Sequence, residues 1–247
     1  MTRAASRIAC LALALLCAPA APTQVLYRLP WPEGRSFMFG QAPGGVITTH
    51  VTRDSLHAVD IPMPEGTPVL AARAGVVVQA EWRHGGESRD DFTVGGNYVR
   101  VRHADGTIAT YAHLMPAGVA VEEGEEVEAG RLLGYSGTTG FSTGPHLHFG
   151  VSRLERAGGA REEVAVPVTF YVGDPPIAFA PRAGLIATAD YSPRAEPPRA
   201  ARDPRRLVEW KPRVLGPEEL LPAWAQLAAW LVAGVAGLAW FWRFSRD

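Results

Sequence analysis

Asn97 to His113 reads NYVRVRHADGTIATYAH, and the class of the fold follows from it. Asn97-Tyr98-Val99-Arg100-Val101-Arg102 alternates apolar and charged residues, the period of a half-buried strand. Ala104-Asp105-Gly106 supplies a turn and Thr107 to His113 returns as a second strand, so the stretch predicts a β-hairpin. Outward from it, Val69 to Trp82, Arg131 to Ser136 and His146 to Val151 read as further strands, and no long segment shows a helical period. The expected domain, residues 26–191, is all-β: an antiparallel sheet folded into a half-open barrel or two-layer sandwich, with short helices at most.

The ends of the chain read differently. The 247 residues, 47% hydrophobic and 20% charged, allow one ordinary globular domain plus appendages. Arg3 and Arg7 precede an apolar run from Ile8 to Cys17 and the small residues Ala18-Pro19-Ala20, so residues 1–20 are expected to be a secretory signal peptide. The two cysteines, Cys10 and Cys17, both lie inside it. A processed chain would therefore hold any metal by His and carboxylates alone. Residues 192–222 are rich in Pro and Arg, as in Pro197-Pro198-Arg199 and Asp203-Pro204-Arg205-Arg206, and are expected to form an extended linker.

Residues 223–242 form a 20-residue run in which Gln226 alone is strongly polar. As a helix it would span roughly 30 Å, enough for one transmembrane crossing. Trp224, Trp230, Trp240 and Trp242 suit the headgroup boundaries, and Arg243 and Arg246 follow in a short tail, residues 243–247. The signal peptide orients the chain with residues 21–222 on the periplasmic or extracytoplasmic side and the tail in the cytoplasm. A removable sorting signal is the competing reading of this end. A net charge of −1 gives no electrostatic basis for a nucleic-acid partner. Oligomeric state is not readable from the sequence.

Candidate chemistry is concentrated in histidines. Gly134 to Val151 reads GYSGTTGFSTGPHLHFGV, and the strand period of two puts His146 and His148 on one face, with Leu147 and Phe149 facing the core. Two convergent imidazoles are a credible half of a metal site. Thr107, Ala109, Tyr111 and His113 share one face of the hairpin's return strand by the same rule, which makes His113 a candidate acid/base group. Between Thr49 and Glu65 stand His50, His57 and Asp60, the last a carboxylate within Ala-Val-Asp-Ile. A buried carboxylate needs a cation, a hydrogen-bond network or a metal. In an extended segment His57 faces away from Asp60, whereas His50 lies on an approach that can return to the Asp60 side. His103 and His84 are expected to face solvent.

Together these pieces resemble the lysostaphin-type (LytM-domain) zinc endopeptidases across about residues 36–172. The matching segments are His50 with Ala58-Val59-Asp60, Pro64-Glu65-Gly66-Thr67-Pro68-Val69, Ala74-Gly75-Val76-Val77, Arg102-His103-Ala104-Asp105-Gly106, Tyr111-Ala112-His113-Leu114 and Ser142-Thr143-Gly144-Pro145-His146-Leu147-His148-Phe149. The resemblance implies Zn2+ held by His50, Asp60 and His148, catalytic roles for His113 and His146, and peptide cross-links of bacterial peptidoglycan as substrate. Such a ligand set binds zinc at ~2.0–2.2 Å and leaves a fourth position for water, whose pKa falls towards roughly 7. One departure stands out. The familiar version of the family carries its first His four residues before the Asp, where this chain has Leu56. The chain looks like the variant with a longer insertion, in which His50 ligates and His57 replaces an aromatic residue; His57 stays the competing ligand. How His113 and His146 divide their roles stays open. Two alternatives compete with the enzyme: a non-catalytic wall-binding or amidase-activating module, and a membrane-tethered protease acting on protein. A complete ligand set favours the enzyme over the binding module, and the resemblance, not the zinc chemistry, favours peptidoglycan over protein as substrate.

Overall fold

The structure, a computed structural model, describes residues 24–45, 48–88, 95–157 and 159–201. The expected signal peptide, transmembrane helix and cytoplasmic tail, and all but the first ten residues of the expected linker, lie outside the described residues. Within them every regular element is a strand, as the alternation of the hairpin predicts.

Among the described residues a nine-stranded sheet carries the fold. The hairpin forms as Asn97–Arg102 paired antiparallel with Ile108–Val119, with His103 and Gly106 closing its turn. On the outer side of Asn97–Arg102 runs Gly75–Glu81. The stretch from Val69 to Trp82 is not one strand. Pro68–Leu70 pairs with Leu132–Ser136, and the chain breaks before Gly75–Glu81 joins the hairpin. The register of this first ladder slips between Val69 and Leu70, and its last pair is Leu70 with Leu132.

The His146–Ala157 strand is the hinge of the architecture. Its middle, Gly150 to Ser152 with the residues before it, pairs with Ile108–Val119, setting His148 opposite Ala112 and Phe149 opposite Tyr111. On its other edge the first four residues pair with Val59–Pro62, so that His148 also lies opposite Asp60. Beyond them, Ser152 to Ala157 pair with Ala160–Ala165.

One face of this sheet makes the core. Val77, Val99, Val101, Ala109, Tyr111, Leu147 and Phe149 are all buried there. The segment before the sheet closes over them: Tyr27, Leu29, Trp31 and Phe39 are buried in the same cluster, and Phe170 stacks between Phe39 and Phe149. Aromatic pairs of this kind stabilise beyond the area they bury, by roughly 0.5–1.5 kcal/mol each. Leu147 and Phe149 pointing into this core leaves His146 and His148 to the opposite face, which is what the period of two requires.

His103 corrects the expectation of a solvent-facing residue beside a turn. The residue is 3% exposed, with Nδ1–H donating to the Ala74 carbonyl at 2.8 Å and an edge contact of its ring to Tyr27. Burial holds its pKa below the ordinary histidine value, and the Ala74 bond only partly offsets this. His84 is half-buried as well, because its ring packs against Gly95 and its backbone N–H donates to Asn97.

Candidate metal centre

Asp60 is fixed by backbone pairing on both edges. Its own N–H donates to the Gln41 carbonyl at 3.0 Å, its carbonyl accepts from Gly40 at 2.8 Å, and the opposite edge belongs to His148. The side chain is 9% exposed. Cross-strand partners share a face, so Asp60 and His148 meet directly: His148 Nδ1 lies 3.0 Å from Asp60 Oδ1.

His50 arrives from a loop. That loop is anchored, since the Gln41 side-chain oxygen accepts from the Thr49 N–H at 2.8 Å. Gln41, which the sequence gives no reason to single out, thereby couples the Asp60 strand to the residue before His50. His50 Nε2 then reaches Asp60 Oδ1 at 3.1 Å and its ring lies edge-on to His148, 4.8 Å between centroids. One ligand atom from each of His50, Asp60 and His148 lies within 4.8 Å of the others. His57 is not in this group; it lies in the turn that precedes Val59–Pro62, not on the strand itself.

His113 and His146 complete the cluster, with ring centroids 4.6 Å apart and His113 at 5.8 Å from His148. His146 opens its strand, and its Nε2 is 3.7 Å from Asp60 Oδ1. His113 reaches the site by a route that strand alternation does not predict. Tyr111 is wholly buried in the core, and a regular strand would send His113 after it. Instead His113 takes φ 63°, the left-handed region where non-glycine residues are uncommon. The register of the hairpin slips there, Asn97 facing Leu114 while Tyr98 faces Ala112, so His113 is the extra residue of a β-bulge. The bulge turns His113 to the site and drops Leu114 into the core. The expected shared face of Tyr111 and His113 is corrected accordingly.

Backbone carbonyls fix the tautomers. His50 Nδ1 lies 3.1 Å from the Ala58 carbonyl, His113 Nδ1 2.8 Å from that of Thr139, and His146 Nδ1 2.7 Å from that of Gly144. A carbonyl only accepts, so in each ring Nδ1 carries the proton. Nε2 of the neutral ring then presents a lone pair. For His50 that lone pair points at a carboxylate oxygen 3.1 Å away, inside a buried site. Two acceptors at that distance require a positive centre, either a second proton on the ring or a cation shared with Asp60. Two imidazole nitrogens and a carboxylate oxygen, with the Ala58 carbonyl setting the His50 tautomer, make a donor set that fits a divalent cation of the transition series.

Burial by itself would raise the Asp60 pKa; the bonds from His148 and His50 and the charge of His146 outweigh it and hold the carboxyl well below the usual range. Burial, reinforced by His146 and His148, pushes His113 down to about 3. His146 is lowered too, chiefly by burial, against the pull of Asp60. At neutral pH both rings are thus free bases with an available Nε2.

Residues 55–160 match the family model described as "Peptidase family M23". The chain carries a peptidase family M23 domain. Lysostaphin of Staphylococcus staphylolyticus is 42% identical over 94 residues, 38% of this chain and 18% of that protein. The peptidoglycan DD-endopeptidase ShyA of Vibrio cholerae is 37% identical over 93 residues, 38% of this chain and 19% of ShyA. Among solved structures, the catalytic domain of lysostaphin from Staphylococcus simulans superposes with TM-score 0.35 and 30% identity, over 52% of this chain and 87% of that one. The aligned region spans less than a fifth of the length of lysostaphin or ShyA.

Sequence reasoning passes over two residues of this M23 site: Asn97 and Thr139, both buried and polar, next to His113. The available signal is that each stands beside glycine, in Gly95-Gly96-Asn97 and Thr139-Gly140. There a polar side chain meets backbone with no neighbouring side chain to screen it.

Proposed function

We propose that this protein is a zinc-dependent endopeptidase that hydrolyses peptide cross-links of bacterial peptidoglycan. The observation that carries the proposal is the convergence of His50 and His148 on one buried carboxylate oxygen of Asp60, with two further neutral imidazoles alongside. The names of the relatives, a peptidoglycan DD-endopeptidase among them, point to the wall peptide as substrate.

His50, Asp60 and His148 would hold the metal. Bound there, zinc supplies a Lewis acid that polarises a peptide carbonyl and acidifies water near neutral pH. The chain's own part is proton handling and orientation. His113 and His146, each with Nδ1–H tied to a carbonyl, offer Nε2 as the one site that takes a proton from the attacking water or returns it to the leaving amine. Once protonated, the same ring donates from Nε2 to the developing oxyanion. Neutral rings at working pH suit this exchange, and their fixed tautomers remove the need to reorient between steps.

We place the domain outside the cytoplasmic membrane, delivered by residues 1–20 and tethered by the apolar run at residues 223–242. A tethered hydrolase would act on wall close to the membrane. The test is metal content combined with digestion of purified sacculi by the full chain. One zinc per chain and release of soluble fragments are expected, with His148→Ala losing both. A wild-type chain that binds no metal and releases nothing would return the domain to a binding module.

A further inference from the structure

The bulge that delivers His113 needs an account of its own, because a left-handed histidine at the end of a regular ladder persists only where its surroundings impose it. We infer that Thr139, with Asn97, is the positioning pair that holds His113 in its working orientation. This rests on the proposed hydrolytic role of His113.

One residue ties the backbone and the ring together. Thr139 Oγ1 accepts from the Asn97 backbone N–H at 2.9 Å and donates to the Leu114 carbonyl at 2.6 Å, so it spans the two residues that face each other across the bulge. The carbonyl of the same Thr139 accepts from His113 Nδ1 at 2.8 Å. The hydroxyl thereby fixes where the chain turns out of the ladder, and the carbonyl fixes how the ring is rotated and which nitrogen is bare. Asn97 completes the pair from the other strand. Its amide donates to the His84 carbonyl at 2.8 Å and, at 3.3 Å, to that of Met115, while its side-chain oxygen accepts from His84 N–H at 2.9 Å.

The backbone around the pair leaves no room for a looser arrangement. A Cβ on Gly96 would lie 2.7 Å from the Thr139 carbonyl, and one on Gly140, at φ 79°, would lie 2.8 Å from Gly96 Cα. A Cβ on Gly137 would lie 2.5 Å from the Met115 nitrogen. The Gly137–Gly140 loop is pressed directly onto the bulged strand, and Thr139 is 2% exposed and Asn97 wholly buried. A buried threonine hydroxyl with both of its bonds made to backbone is lost cleanly in the isosteric valine and kept in serine.

The experiment uses the full chain, with and without zinc, and three measurements: zinc content, kcat and KM on a soluble cross-linked muropeptide, and the 15N spectrum of the His113 imidazole. In the wild type the spectrum should show a fixed Nδ1–H tautomer with or without zinc. Thr139→Val should bind zinc as the wild type does and keep its KM, lower kcat about tenfold to a hundredfold, and lose the single tautomer. Thr139→Ser should restore both kcat and the spectrum. Unchanged kcat in Thr139→Val, or a wild-type His113 protonated at Nε2, would overturn the inference. The wild-type spectrum decides even if the valine variant does not fold. A wild-type chain that shows the Nδ1–H tautomer but cuts no muropeptide contradicts the hydrolytic reading and supports the clamp.

Discussion

The site has two halves, built on opposite principles. Asp60 and His148 stand on a regular antiparallel ladder, directly across from one another, and the pleat alone brings their side chains within 3.0 Å. His113 stands one strand away on a ladder that has been broken, held at φ 63° by a loop pressed onto it. A ladder is rigid and self-consistent, which suits groups that must keep a fixed distance to one ion. A bulge can be aimed independently of the ladder, which suits a group that must address a reacting atom.

The largest expected effect comes from breaking the regular half. Asp60→Ala removes the oxygen on which His50 and His148 converge, and should eliminate tight zinc binding and lower hydrolysis by more than about a hundredfold, beyond the effect of an outer-shell change. Zinc titration and sacculus digestion check this together. Retention of stoichiometric zinc by this variant would contradict it. Breaking the irregular half should separate the two readouts: His113→Gln and His146→Gln are expected to retain zinc while kcat falls by roughly 10²–10⁴.

A finer contrast compares alanine with glycine at each position in the metal-free protein. At 113 the left-handed backbone penalises any Cβ, so His113→Gly should be more stable than His113→Ala by about 1 kcal/mol. At 148 the backbone is extended, and His148→Ala should be the more stable of its pair by roughly 0.5–1 kcal/mol. Denaturant melts of the four variants should show this reversal of sign. The same order at both positions would mean that the bulge is not present in solution.

A separate effect is on pH dependence. In the folded, metal-free protein His113 is held down at about 3 and His146 is lowered, while Asp60 lies well below its ordinary value. The unfolded chain therefore takes up protons first. Below about pH 6.5 it gains protons on histidine that the folded state refuses, and at lower pH the Asp60 contribution is lost as its carboxyl protonates. Stability should fall steadily with acid. A denaturation midpoint that rises between about pH 7 and about pH 5 would contradict this assignment.

The same division explains what the sequence disclosed. The all-β class and the opposite facing of His148 and Phe149 follow from alternation, a local property with a period of two. Asp60 is conspicuous as a carboxylate inside an apolar strand, and its need for partners follows from desolvation alone. Alternation gives His113 the wrong face for the converse reason: a bulge is dictated by contacts to Thr139 and Asn97, 26 and 16 positions away, which a period of two does not carry. His103 looked solvent-facing because it follows a strand and precedes a turn. What buries it is Tyr27, contributed by a segment far from it in the chain. Gln41, which anchors the His50 loop through Thr49, was likewise unreadable, since nothing local distinguishes that glutamine.

The central claim is that one cation joins His50, Asp60 and His148. Diffraction from crystals of the zinc-loaded chain, recorded on both sides of the zinc absorption edge, tests it most directly. The account predicts a single anomalous peak in contact with His50 Nε2, a carboxylate oxygen of Asp60 and a ring nitrogen of His148. A peak bound by His57 in place of His50, or none near Asp60, would contradict it.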